Sequence, residues 1–176
     1  MDQFWEDLVE EKYDEIMDME EEAVRQSFYT DSDLYLIFTK DGKVYYDTKL
    51  PDKSETDKLV LAEISGTITE DAIYYSMSAW ASDDIIEEVE QLNVPSDIIK
   101  QLKQLADDEK LDIYVLEETY PDIFKQLMDA QFERIVDWVV DFYYMENRYN
   151  VLAFKKLEKD DIYLDIYRYV DYYYNS

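Results

Sequence analysis

The sequence predicts an α+β fold that is mostly helical, with a small antiparallel β-hairpin or sheet near residues 33–64. Two observations predict it: apolar residues recur at helical spacing on either side of that region, and strand-like runs flank an Asp41-Gly42 turn within it. The chain also has only two glycines and three prolines, so it offers few natural breaks. We therefore expect a single acidic globular domain over residues 1–176, with a possible subdivision near 66 into a helix plus hairpin (1–65) and a helical part (66–176).

The first element is predicted to be a single helix from about Asp2 to Gln26. Its apolar residues would share one side of a helix that turns 100° per residue. These residues are Phe4, Trp5, Leu8, Val9, Ile16, Met19 and Ala23.

Three strands are predicted next. Leu34–Phe38 has the composition of a strand, Asp41-Gly42 is typical of a hairpin turn, and Val44–Tyr46 is the returning strand. Lys58–Ile64 is a possible third strand.

Capping signals beyond the third strand predict a series of helices. Thr69 and Ser82 are candidate N-caps, and Pro95 precedes a third helix start. Pro121 would occupy the first turn of a long helix that ends near Asn147, a position where proline is tolerated.

The patterns of two segments each fit more than one structure. Asp112–Leu116 fits either a strand or a connection. Ile162–Tyr174 spaces its apolar residues and tyrosines at helical intervals and is predicted to be a helix, although its tyrosine density leaves a strand open.

The net charge is the most unusual property of the chain. Forty-four Asp and Glu face seventeen Lys and Arg, which gives a formal charge of −27 at pH 7. This charge repels itself and destabilises the compact state, so we expect it to serve the function. The acidic N-terminal stretch lacks a signal-peptide pattern, and no apolar run reaches the roughly 18 residues of a membrane span. We therefore expect a cytoplasmic protein.

Carboxylates along the first helix form the first candidate binding surface. They lie opposite the apolar side at spacings of three or four residues, where each like-charged pair costs on the order of 0.2–0.5 kcal/mol. They are Asp7, Glu10, Glu11, Asp14, Asp18 and Glu21. A merely solvated helix face is the alternative interpretation, but such faces normally mix positive and negative charges.

Two further groups of acids are predicted to contact a partner. The long helix carries an acid every four residues, at a pitch of about 6 Å that is comparable to phosphates along a nucleic-acid strand. This row is Asp129, Glu133, Asp137 and Asp141, and the third group is Asp83, Asp84, Glu87 and Glu88. The alternative is that the row is the single solvated stripe of an otherwise apolar helix.

Several kinds of chemistry are excluded by composition. The chain has no histidine and no cysteine, so it cannot form Ser-His or Cys-His catalytic pairs, disulfides, or zinc sites with those ligands. Two glycines cannot build a phosphate loop or a dinucleotide-binding motif. Carboxylate pairs could hold Mg²⁺ or cleave glycosides, but among 44 acids such pairs arise by chance. We expect no enzyme activity, no cofactor and no metal site.

The eighteen tyrosines are the second unusual feature. Several are adjacent, including Tyr45-Tyr46 and the C-terminal Tyr172–Tyr174, so a single helix face cannot bury them all. Tyrosine packs in cores and is also enriched at interfaces. Core packing is one interpretation, and a homodimer formed through a tyrosine-rich surface is the other.

The size of the charge is of the right order for imitating nucleic acid. Duplex DNA carries about one negative charge per 1.7 Å, so 27 charges correspond to about 46 Å of duplex.

In composition, size and distributed carboxylates, the chain resembles the acidic DNA-mimic inhibitors of phages and plasmids. These include the antirestriction proteins ArdA and Ocr and some anti-CRISPR proteins. The resemblance implies a protein that occupies the basic nucleic-acid-binding channel of a restriction enzyme or CRISPR effector and blocks its binding of DNA or RNA. The implied partner is a basic nucleic-acid-binding protein. We expect no binding to nucleic acid or membrane, because both repel an anionic surface.

The sequence is also compatible with two other hypotheses. An immunity protein or antitoxin that neutralises a basic nuclease toxin would share the charge and the tyrosines. Adaptation to high salt would also make a surface acidic. Thirteen lysines against four arginines, with abundant Ile and Tyr, indicate an AT-rich genome instead.

Overall fold

A computed structural model describes residues 3–147, 154–159 and 162–169. It confirms a mostly helical α+β fold with a small antiparallel sheet. Within the described residues the elements are, in chain order, α1 (Gln3–Glu11), α2 (Tyr13–Ser27), β1 (Leu34–Thr39), β2 (Val44–Asp47), β3 (Lys58–Ile68), α3 (Glu70–Ser78), α4 (Ser82–Glu90), α5 (Ser96–Asp107), α6 (Ile113–Thr119), α7 (Pro121–Asn147), β4 (Phe154–Lys159) and β5 (Ile162–Arg168).

The chain divides into two compact units. The first unit runs up to Ile68 and resumes at Val136, so it holds α1, α2, the sheet and the last part of α7. The second unit, Thr69–Ile135, is helical and holds α3 to α6 and the first part of α7. The single-domain organisation stays a prediction.

The sheet has five antiparallel strands in the order β2-β1-β3-β5-β4. The predicted hairpin is confirmed: the Thr39 N–H donates to the Lys43 carbonyl at 2.9 Å and closes a three-residue loop. Gly42 occupies the left-handed region of that loop at φ 84°, where a side chain would be strained.

The third predicted strand is confirmed and is longer than expected, since β3 continues past Gly66 to Ile68. A Cβ at Gly66 would lie 2.5 Å from Ser27 Oγ and 2.8 Å from Phe28 Cε1. Glycine at this position therefore lets the end of α2 approach the strand closely.

The predicted C-terminal helix is wrong over Ile162–Arg168, which form β5. Ile162 and Ile166 are four residues apart, a spacing that satisfies both a helix and a strand. The described burial alternates strictly, with Leu164 buried and Tyr163 exposed, and seven residues pair with β3. Residues 170–174 of the predicted helix lie outside the described residues.

The predicted helix from Asp2 to Gln26 is interrupted, because Lys12 adopts φ −103° and ψ 17° between α1 and α2. Hydrogen bonding continues across the break: Lys12 N–H donates to the Leu8 carbonyl at 3.0 Å. The buried set also differs from the prediction. Phe4 is 52% exposed, and Met17 is buried where Met19 was expected.

The predicted helix starts in the second unit are mostly confirmed. Thr69 caps α3 through its hydroxyl, which accepts from Ala72 N–H at 3.2 Å. Ser82 is the first residue of α4, and the N-cap position belongs to Ala81. The Ala81 N–H donates to the carboxylate of Asp84 at 3.0 Å. The helices after Pro95 and at Pro121 begin as expected.

The ambiguous segment Asp112–Leu116 is neither strand nor connection but the start of α6. The carboxylate of Asp112 accepts the N–H of Val115 at 2.8 Å and so stabilises the first turn.

Each unit has its own apolar core. In the first unit the fully buried side chains include Ile16, Leu36, Phe38, Leu61, Ile64, Leu164 and Ile166. In the second they include Met77, Ile85, Val89, Leu102, Ile113, Leu116 and Leu127.

Candidate functional site

The first predicted acid row lies on the solvent side of α1 and α2. Asp7, Glu10, Glu11, Asp14 and Asp18 are exposed, and Glu21 is half-buried. The opposite side of these helices carries the buried Trp5, Val9, Ile16, Met17, Ala23 and Val24. Burial of that apolar side therefore fixes the direction in which the carboxylates point.

The row is denser than the six predicted residues indicate. Exposed carboxylates between positions 6 and 22 are Glu6, Asp7, Glu10, Glu11, Asp14, Glu15, Asp18 and Glu22. With a rise of about 1.5 Å per residue, these eight carboxylates are spread over roughly 24 Å, or about one per 3 Å. One strand of duplex DNA carries a phosphate about every 3.4 Å. We call these eight residues the α1–α2 acid row.

Few basic groups neutralise the α1–α2 acid row. Residues 3–27 contain ten acids and two bases, Lys12 and Arg25. The Lys12 ammonium lies 3.8 Å from Glu15, whereas the Arg25 guanidinium donates to Asp137 on α7. Glu10 and Glu11 form no ion pair with any residue that the structure describes. A strongly negative surface therefore remains.

A groove of about 570 Å³ continues this surface between α2 and β2. Glu15, Asp18 and Glu22 contribute to one side, and Tyr45 and the basic Lys43 contribute to the other. The Tyr46 hydroxyl donates to Glu22 at 3.4 Å, and burial together with that carboxylate raises the pKa of Tyr46.

Glu20 is an acid of α2 that is not among the predicted binding residues. It is fully buried, and both of its oxygens accept from the Arg168 guanidinium, one of them from Nε at 2.7 Å. Its position four residues after Ile16 and three before Ala23 places it on the apolar side, and this spacing could have revealed it. Its partner on β5 could not be found from spacing.

The second predicted row falls into two parts, one in each unit. Asp129 and Glu133 are exposed in the second unit, and Asp137 and Asp141 are exposed in the first. Asp137 is bonded to Arg25 and is therefore partly neutralised. Asp141 lies beside an exposed aromatic pair, Trp138 and Phe142, which stack at 5.8 Å between ring centroids.

The third group, on α4, is partly engaged within its own unit. Asp83, Asp84 and Glu87 are exposed, and Glu88 is half-buried. Glu88 accepts from Arg134, and Asp84 caps its own helix. Fewer of these carboxylates are available to a partner than the sequence predicted.

A second groove, of about 680 Å³, lies within the second unit between α3, α6 and the first part of α7. Its apolar lining consists of Ile73, Tyr74, Phe124, Met128 and Phe132. Its charged lining consists of Glu70, Asp71, Glu117, Asp129 and Lys125. We call it the α3–α7 groove.

Tyrosines line the exposed face of the sheet. Tyr163, Tyr167 and Tyr169 are 37%, 47% and 48% exposed. The Tyr169 hydroxyl donates to Glu63. This hydrogen bond is the larger cause, and partial burial the second, of a rise in the pKa of Tyr169 to about 12. The C-terminal tyrosines Tyr172–Tyr174, predicted as a dimer surface, lie outside the described residues.

Within residues 3–147, 154–159 and 162–169, no three acidic side chains come together in a way that could hold a metal ion. None of the helices in this part of the chain is both long enough and apolar enough to cross a membrane. No family profile, curated protein or solved structure matches the chain.

Proposed function

We propose that the protein is a DNA-mimic inhibitor that binds the basic nucleic-acid-binding channel of a host defence enzyme, a restriction enzyme or a CRISPR effector, in the cytoplasm. The observation that supports this most strongly is the α1–α2 acid row. Averaged along the helix axis, its eight exposed carboxylates have about the same number per ångström as the phosphates on one DNA strand.

The acid row is held in a fixed arrangement, which distinguishes it from a flexible acidic tail. The buried residues of α1 and α2 set the orientation of both helices, and the hydrogen bond across Lys12 keeps them nearly continuous. A partner with Lys and Arg along a groove can therefore pair with several carboxylates at once. Little conformational entropy is lost on binding, because the helix backbone is already ordered.

The same surface has a cost in stability that an ordinary solvated helix avoids. Asp18 has acidic neighbours at all four positions three or four residues away, namely Asp14, Glu15, Glu21 and Glu22. Each like-charged pair destabilises the helix by roughly 0.2–0.5 kcal/mol. A function that requires the concentrated charge accounts for this arrangement.

Competition with DNA is the direct test. Purified restriction enzymes and CRISPR effectors would be incubated with a fluorescent duplex, and displacement of that duplex by the protein would be followed by anisotropy. We expect displacement from at least one enzyme, with an apparent affinity that falls steeply as NaCl is raised.

Two double variants separate the geometry of the row from total charge. Glu10→Lys with Glu11→Lys changes the α1–α2 acid row, and Asp107→Lys with Asp108→Lys makes the same charge change at the exposed end of α5. We expect the first variant to lose at least about tenfold in affinity and the second to lose much less, since tenfold corresponds to about 1.4 kcal/mol. Equal losses would mean that net charge alone acts, and the mimic would be wrong.

The toxin-neutralising alternative gives a different result in the same assay. An immunity protein can bind a nuclease away from its DNA channel. A complex in which the enzyme, the duplex and this protein are bound together, without antagonism, would therefore contradict the proposal.

A further inference from the structure

We propose that the α3–α7 groove is a second binding site, which takes a basic amphipathic peptide segment of a protein partner. The segment would place one or two large apolar side chains on the groove floor, flanked by Lys or Arg. The inference rests on the second unit alone and does not require the acid row to imitate DNA.

The floor of the groove favours an apolar anchor. Phe124, Met128 and Phe132 follow one another at four-residue intervals on α7 and are each half-buried. The Tyr74 ring lies 5.8 Å from that of Phe124, so the floor is partly aromatic. Covering this floor with an aliphatic or aromatic side chain removes apolar surface from water.

The rim determines the charge of the occupant. Four carboxylates, Glu70, Asp71, Glu117 and Asp129, surround the floor with a single ammonium, Lys125. The net charge of the lining is strongly negative, so phosphates and anionic lipid surfaces are repelled and basic side chains are attracted. Arginine is favoured further because its guanidinium can also stack on Tyr74 or Phe124.

The combination of an apolar floor and an acidic rim matches a known mode of recognition. An amphipathic helix lays its apolar side into a groove and reaches the rim with the charged side chains that flank it. The groove volume, about 680 Å³, is in the range of sites that bury most of a small ligand. A basic peptide with two apolar anchors therefore matches both the size of the groove and the charge of its rim.

The probe for the test is an acetylated and amidated helical peptide of about twelve residues, with two leucines at i and i+4 among lysines and arginines. Binding to the full chain would be measured by calorimetry and by the NMR signal of the Met128 methyl group. We expect saturable binding that shifts Met128. Replacing both leucines by serine should weaken binding by about tenfold or more.

Lys125 supplies a gain-of-affinity variant. Lys125→Glu removes the basic group from the rim and should tighten peptide binding by about threefold or more. Lys110→Glu makes the same charge change in the same unit outside the groove lining and should have a smaller effect. Met128→Gln should weaken binding, and circular dichroism would show that each variant remains folded.

Three results would overturn the inference: equal affinity of the leucine and serine peptides, equal effects of the two lysine variants, or no shift at Met128. The Glu10→Lys, Glu11→Lys variant should retain groove binding. Peptide binding and DNA competition are measured in separate assays. A negative result for the α3–α7 groove is therefore distinguishable from a negative result for DNA mimicry.

Discussion

The side chains of Glu20 and Arg168, 148 positions apart in the sequence, meet inside the unit that holds the sheet. Their exposed fractions are 0% and 1%, and two hydrogen bonds join them. Removing both charges together is often nearly neutral, whereas removing one leaves the other charge buried. The pair therefore ties α2 to β5 in one arrangement.

Arg168→Met should destabilise the protein by about 3–5 kcal/mol, because the carboxylate of Glu20 would remain buried without its guanidinium. Urea denaturation at neutral pH measures the loss, and adding Glu20→Leu should restore most of it. Lys103→Met is the matched control. It breaks an exposed pair with Glu90 at 3.1 Å and should cost about 0.2–1 kcal/mol. Equal losses for Arg168→Met and Lys103→Met would contradict the prediction.

Tyr169 should ionise at a higher pH than an ordinary tyrosine, because its hydrogen bond to Glu63 and, to a smaller extent, its partial burial raise its pKa to about 12. Tyrosine in the unfolded chain ionises near pH 10. The folded-state pKa is the higher of the two, so this contribution to stability is fully present below about pH 10 and is lost as the pH rises through about 12.

Tyrosinate absorbance measured against pH checks this prediction. Tyr169→Phe should remove a transition near the end of the titration. Tyr163→Phe removes a phenol of similar exposure on the same sheet face and is the control. The prediction fails if the transition lost with Tyr169 comes no later than the one lost with Tyr163.

At the scale of elements, α2 combines a buried side that packs on the sheet with a solvent side on which several acids face a single base, Arg25. Asp18 is exposed on that charged side. Replacing its negative charge by a positive one converts four repulsive interactions with neighbouring carboxylates of the same helix into attractive ones.

Asp18→Lys should therefore stabilise the protein by about 1 kcal/mol at low ionic strength while weakening inhibition of the target enzyme. Asp18→Asn should give about half of the gain. Thermal unfolding measures the stability, and the difference should vanish near 1 M NaCl, where the Debye length is about 3 Å. A variant that gains stability and keeps full inhibitory activity would separate Asp18 from the binding surface.

At the scale of the whole molecule, both units are acidic. The second unit has seventeen acids and five bases, and the remainder of the chain has twenty-seven acids and twelve bases. Self-repulsion therefore acts throughout the chain, and counter-ions should relieve it.

Raising NaCl from about 10 mM to 300 mM should raise the stability by about 1 kcal/mol, or Tm by about 2–4 °C. Differential scanning calorimetry at several protein concentrations measures the change and separates it from association. Complete unfolding at the lowest salt concentration would support adaptation to high salt instead. An unchanged Tm would mean that the negative charges are too far apart to interact.

The sequence by itself determined the features that depend on near neighbours along the chain. Helix caps such as Thr69, the Asp41-Gly42 turn and the solvent side of α1 and α2 follow from periodicity and turn chemistry, and the structure has them as predicted. The −27 charge needed no structure either.

The tertiary structure decided what depends on residues distant in sequence. The apolar spacing of Ile162–Arg168 fits both a helix and a strand, and pairing with β3 makes this segment a strand. Glu20 can be buried because the Arg168 guanidinium donates hydrogen bonds to its carboxylate. Arg25 and Arg134 neutralised two of the predicted binding acids, Asp137 and Glu88. Periodicity shows which side chains face away from a core, but only the packed chain shows which of them already have an opposite charge beside them.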